Sequence, residues 1–127
     1  MSDLEQQILK ILLKEHLHFE REKTFSDLRG GRYRYDFYVI TNAGPVLIEI
    51  DGIFHFKDIH GRAVFMKQQE HDREKNSYAL ANQIPLYRIP YWEMKNITSF
   101  KDMTADKFLV RNKWYNDELI REFSKRS

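Results

Sequence analysis

The chain has 127 residues, a formal net charge of +2 and no cysteine. That length supports one domain around one core, and the lack of cysteine excludes a disulfide framework or a thiolate metal centre. No apolar run is long enough to span a bilayer, and Met1-Ser2-Asp3-Leu4-Glu5 is not the basic start of a signal peptide, so a cytoplasmic chain with no membrane partner is expected. A pI near 8.8 is too mildly basic to argue for nucleic acid alone.

Ser2 and Glu5 form an S-x-x-E capping box, and Leu4, Ile8, Ile11 and Leu12 follow at helical spacing. They predict an N-terminal helix with one buried face. Residues 19–25 read as a charged edge strand. Gly30-Gly31 breaks the chain before a strand over 33–40. Residues 41–45 make a short hairpin turn into a strand over 45–51. Residues 52–65 read as a loop over the strand ends. A helix is predicted over 66–82, polar in its first half, and a short strand over 86–89 follows between Pro85 and Pro90. Strand, helix, strand implies a right-handed crossover and a parallel pair. Tyr91 and Trp92 read as core anchors, and a last helix is predicted over 116–125. The order α-β-β-β-α-β gives an α/β fold: a mixed sheet flanked by helices, with a C-terminal helix. It forms one domain, with a core over about residues 2–93 and an extension over 94–127.

The strand Leu47-Ile48-Glu49-Ile50-Asp51 carries two carboxylates among residues that read as buried on both faces. Glu49 and Asp51 point to one face, roughly 7 Å apart along the strand. Across the hairpin, Asp36 should come close to both. Crowded carboxylates at an apolar sheet repel, and one of them should titrate above its ordinary value. A hard divalent cation such as Mg2+, with Mn2+ as substitute, would neutralise them. Asp72, Lys75 and Asn76 share one face of the following helix. Arg29, Arg32 and Arg34 cluster beside Asp36 among tyrosines, a composition suited to a phosphate backbone or to a solvated hairpin tip. His16, His18 and His60 have no supporting context and are expected at the surface.

Asp36, then Glu49-Ile50-Asp51-Gly52-Ile53-Phe54-His55, then His71-Asp72-Arg73-Glu74-Lys75-Asn76, and finally Ile84-Pro85-Leu86-Tyr87-Arg88-Ile89-Pro90-Tyr91 resemble the PD-(D/E)XK nuclease superfamily. More narrowly, these segments resemble its branch similar to very short patch repair, phage and homing endonucleases, over roughly residues 2–93. The resemblance implies a restriction-endonuclease-like fold and a Mg2+-dependent DNA endonuclease in a bacterial or phage-infected cell. Asp36 and Glu49 would be its metal-binding acids. Asp51 stands where the usual motif has lysine and is a third candidate ligand. The water would be assisted by His55, or by Lys75 supplied from the helix, with Asp72 beside it. Glu5 matches a helix-one glutamate that borders the site in some members. Arg29, Arg32, Arg34, His71, Arg73 and Asn76 would contact DNA. Homing-type cleavage, mismatch nicking and junction resolution all fit, with target choice left to loops, the tail or a homodimer. The missing motif lysine fits a second expectation, an inactive nuclease-fold module that binds DNA or protein.

Overall fold

The computed structural model describes residues 1–126. Helix α1, Asp3–Lys14, starts where the capping box places it: the Ser2 hydroxyl accepts the Glu5 N–H at 3.1 Å. The Glu5 carboxylate accepts instead from Arg21 on the first strand, at 2.7 Å. That pair ties α1 to the sheet while Leu4, Ile8 and Leu12 bury against it.

The sheet has the order β1-β2-β3-β4, formed by His18–Thr24, Arg34–Thr41, Gly44–Asp51 and Leu86–Pro90. The first three strands are antiparallel, and β3 and β4 are parallel. Strand β1 is the edge its charges foretold. Helix α2, Arg62–Ala81, makes the crossover. It begins about one helical turn before the expected start, directly after Gly61, whose φ of 103° turns the chain out of the loop. The architecture is the expected α/β one, a mixed sheet flanked by helices.

Strand β3 is buried on both faces. Ile48 and Ile50 join Phe37, Val39, Ile8 and Leu12 in the core under α1. Leu47 joins Ala79 of α2, and Glu49 reaches Lys75 of the same helix.

Strand β2 breaks this regularity at Asp36. Tyr35 and Phe37 are two residues apart and should share a face, yet Phe37 packs under α1 while the Tyr35 hydroxyl donates to the Lys75 carbonyl on α2. The β1–β2 pairing skips from Arg21↔Phe37 to Lys23↔Tyr35, and Glu22 opposite Asp36 has a φ of 51°. The β2–β3 ladder ends at Phe37↔Ile48. Beyond it the carboxylates replace the backbone partners. The Asp36 N–H donates to Glu49 Oε1 and the Ile50 N–H to Asp36 Oδ2, each at 2.7 Å.

Residues after 93 are built into the core rather than appended to it. Ile97, Met103 and Phe108 bury under α1. They lie in or beside Tyr91–Asn96, α3 (Phe100–Met103) and Asp106–Phe108, turns too short to leave a hydrophobic period in the sequence. The Val110 N–H donates to the Leu86 carbonyl at 2.9 Å and Tyr87 bridges Leu109, so this segment covers part of the β4 edge. Helix α4, Tyr115–Arg126, packs on α2. Among the described residues no helix is long and apolar enough to cross a membrane.

Candidate functional site

Glu49 and Asp51 face α2 and are sealed beneath it, with Asp51 wholly buried. What neutralises them is Arg88, at the middle of β4 and also without solvent exposure. Its register beside Glu49 in the parallel pair aims the guanidinium along the acidic row. Nη1 lies 2.7 Å from Asp51 Oδ1 and 3.9 Å from Glu49 Oε2, and Nη2 lies 3.5 Å from Asp72 Oδ1. Nε donates to the Asn76 side-chain oxygen at 2.7 Å. Asn76 donates in turn to Asn116 of α4 at 2.9 Å, and Asn116 donates to Asp51 Oδ2 at 3.1 Å. A planar fork of fixed donors suits such a crowded set of oxygens better than a lysine ammonium would.

His55 closes the row. The turn Ile53–His55 after β3 brings its Nδ1 to 2.9 Å from Asp72 Oδ2 and 3.4 Å from Asp51 Oδ1. Burial lowers the imidazole's proton affinity, but the two carboxylates outweigh it and push the pKa up to about 9. Asp72 is held below the usual carboxylate range: burial opposes this, and Arg88 and His55 overcome it. Lys75, the remaining cation, donates to Glu49 Oε2 at 2.6 Å. Formally, Glu49, Asp51 and Asp72 balance Arg88, Lys75 and a protonated His55. The donor atoms of Asp51, His55 and Asp72 lie within 4.8 Å of one another, a spacing that metal sites also use. Arg88 already fills the space between those carboxylates, so the triad is satisfied without an ion.

Asp36 is the acid left over. It is half-buried, and among the described residues no cation forms an ion pair with it. Burial first, and then the neighbouring Glu49, push its pKa up to about 8; the Ile50 N–H and Lys75 pull the other way, and Glu5 adds to the rise. This meets the expectation that crowding would raise one carboxylate.

Asp36, Glu49, Lys75 and Glu5 therefore come together at one end of the sheet, and Asp51, His55 and Asp72 form an adjoining row. Asp51 departs from the expectation of a bare metal-facing acid, because Arg88 and Asn116 consume its oxygens. Asn76 departs from its expected DNA contact, since it is buried and both ends of its amide are used inside the protein. Of the expected phosphate contacts, Arg29 pairs with Glu74, Arg34 lies 3.5 Å from Glu22, Arg73 is held by both oxygens of Asp117, and His71 packs on Tyr33. Arg32 is exposed, as are His16, His18 and His60. Arg88 and Asn116 were not singled out by sequence reasoning. Arg88 had a signal: it is the one charged residue in the apolar strand 86–90, and an ion there needs a buried partner.

Replacing Arg88 with Met should cost about 3–5 kcal/mol, because three acids would share two cations in a buried place. Adding Asp51→Asn to that variant should recover part of the loss, whereas Asp51→Asn alone should destabilise. Urea unfolding of the four proteins measures this, and an Arg88→Met protein as stable as wild type would show that the guanidinium is dispensable.

Two groups give the stability a pH dependence. His55, raised to about 9 from 6.5, favours the folded state fully below pH 6.5, and that contribution is lost as pH rises through 9. Asp36, raised to about 8 from 3.8, makes the fold bind an extra proton between those values, so stability also falls as pH rises across them. Metal-free melting temperature should therefore fall from pH 5 to 9. His55→Gln should flatten the upper part of that slope and Asp36→Asn the lower. Identical slopes in all three proteins would contradict both assignments. Comparison with family models, curated proteins and solved structures returned no match, so the chemistry of the site has to be read from these residues alone.

Proposed function

We propose that the chain is a metal-dependent DNA endonuclease of the PD-(D/E)XK kind, hydrolysing phosphodiester bonds at the end of the sheet that holds Asp36 and Glu49. The observation that carries this reading is the convergence of an unpaired, half-buried Asp36 with Glu49 and with Lys75 Nζ, 2.6 Å from Glu49. The acid, acid and lysine of such a site would be present, with the lysine coming from α2 instead of from β3. Asp36 and Glu49 offer only hard oxygen donors, and burial first and then Glu49 make Asp36 keep its proton to about pH 8, a carboxyl that a divalent cation would hold ionised. The residues thus fit Mg2+ or Mn2+, which Asp36 and Glu49 would hold. A cation there would stabilise charge on the phosphate oxygens and favour ionisation of the attacking water.

The protein's own groups divide the remaining work. Lys75, fixed by Glu49 and lying 5.0 Å from the centre of the Tyr35 ring, would orient water and balance the charge that develops at phosphorus. His55 sits beside Asp51, one strand repeat from Glu49. Because it holds its proton at neutral pH, it suits donation to the departing 3′ oxygen better than the base role expected from sequence. Glu5, held by Arg21, would border the cation.

A second reading has an observation of its own. Both oxygens of Glu49 are engaged, one by the Asp36 N–H and one by Lys75, as they would be in a nuclease-fold module that binds DNA or protein without cutting. Cleavage separates the two. With Mg2+ or Mn2+, wild type should nick at least one of supercoiled, mismatched or four-way-junction DNA. Asp36→Asn should stay folded, since no ion pair is lost, and should cut at least ~100-fold more slowly. A folded Asp36→Asn protein cutting at the wild-type rate would sink the assignment. A wild type inert on all three substrates would leave the binding module.

A further inference from the structure

The groove with the most nucleotide-like chemistry lies away from the carboxylates. It occupies about 600 Å³ over the outer side of α2, within the range of small-ligand sites. Its floor is low because Ser77 and Ala81, one turn apart, are small and exposed. Leu28, Arg29, Arg73 and Lys113 also line it. Its acids are already engaged: Asp27 accepts from the Tyr78 hydroxyl at 2.5 Å, and Glu74 accepts from Arg29 Nε at 3.1 Å. Lys113 takes part in no ion pair among the described residues, and its ammonium lies 4.7 Å from the centre of the Trp114 ring. Arg73 lies 4.9 Å from the same ring, held there by two bonds to Asp117.

Trp114 itself is 47% exposed. Its backbone is nonetheless fixed, because the Trp114 backbone N–H donates to the Asn112 side-chain oxygen at 2.8 Å, and Asn116, two residues on, anchors to Asp51. A half-exposed indole that adjoins the groove through Arg73 and Lys113, without lining it, gains little for folding. It does present a stacking surface next to positive charge, the combination that holds unpaired bases and their phosphates.

We propose that this groove binds one unpaired nucleotide of a DNA strand, its base against Trp114 and its phosphate among Lys113, Arg73 and Arg29. A duplex does not fit, because its bases are already stacked and its convex surface cannot enter a groove of this size. The inference rests on the nuclease reading and deepens it: the preferred substrate has a flap, a branch or a melted stretch beside the cleavage point.

The test uses the full chain in chelator, so that binding is separated from cutting. The probes are a labelled oligothymidylate of about 12 nucleotides, a blunt duplex of equal length, and a polyglutamate peptide. Wild type should bind the single strand. Trp114→Ala should weaken that binding ~10-fold, and Ser77→Leu, which fills the floor without removing a contact, should do the same. Trp114→Phe should restore most of the loss, and duplex affinity should stay constant throughout. Melting curves confirm that each variant is folded. Failure of wild type to bind the single strand, no effect of Trp114→Ala, or an equal loss of duplex binding would each overturn the proposal. So would displacement by polyglutamate at the concentration of competing oligonucleotide, which would mark an acidic-peptide surface. Cleavage that depends on Asp36 but not on Trp114 would reject the groove and keep the nuclease. Trp114-dependent strand binding by an inert protein would do the reverse.

Discussion

The Arg88 guanidinium is the group on which the rest of this structure depends. A charge with no solvent exposure is expensive unless its donors are matched. Matching it dictates what surrounds it: Asp51 on β3, Asp72 and Asn76 on α2, and through Asn76 and Asn116 the position of α4. The polar middle of α2, residues 67–76, follows from the same constraint. A crossover helix ordinarily lays an apolar stripe on its sheet. Here the buried residues of the helix are Asp72, Asn76 and Ala79, and of these only Ala79 is an apolar contact. The helix is held over β3 and β4 by ions and amides near the strand ends and by Leu47, Leu86 and Ala79 farther back.

Charge matching also explains why one carboxylate is different. Arg88, Lys75 and His55 answer Asp51, Glu49 and Asp72, and Arg21 answers Glu5. Among the described residues, the Asp36 carboxyl is bonded by the Ile50 N–H alone. It keeps that position because β2 breaks there. A regular strand would turn residue 36 away from residue 35 and leave 35 and 37 on one face. The distortion, shared with Glu22 on β1, lets Tyr35 and Phe37 serve opposite layers and sets Asp36 at the seam. The proposed cation would be taken up at this break in the ladder, because the neighbouring acids are already paired within the protein.

Most of the fold was legible in the sequence, because its elements are long enough to carry a period: α1 by its box and apolar spacing, β2 and β3 by their runs, the parallel pair by the crossover. The start of α2 was not, since residues 62–65 are exposed or half-buried and leave no apolar phase to read. Residues 94–110 failed for a related reason: Ile97, Met103 and Phe108 are core residues on turns of a few residues each, where no period exists. At the site, the convergence of Asp36 with Glu49 could be read from the hairpin, and the place of Lys75 beside them was implied by the resemblance. The fate of Asp51 and Asn76 could not. Both are polar residues in motif positions, and whether such a group faces solvent or another buried polar group depends on partners 12 to 65 residues away in the chain, which no local pattern reports.

The division between the two acidic rows bears on how a site of the proposed kind would work. Asp51 and Asp72 are paired with a guanidinium that cannot lose its proton, and His55 is held by both carboxylates, so this row is the more firmly fixed of the two. The Asp36–Glu49 row is fixed more loosely: backbone N–H groups orient the two carboxylates, and its one cation, Lys75, hangs on a flexible four-carbon stem. A cation arriving there would take the proton's place on Asp36 and compete with the Lys75 ammonium for Glu49 Oε2. The displaced ammonium would remain tethered beside the Tyr35 ring, close enough to meet an anion brought in with the cation. Rigidity in one row and exchangeable charge in the other are the two things that metal-assisted phosphoryl chemistry asks of a protein: a frame that does not reorganise and an electrostatic vacancy that the cation and substrate fill together.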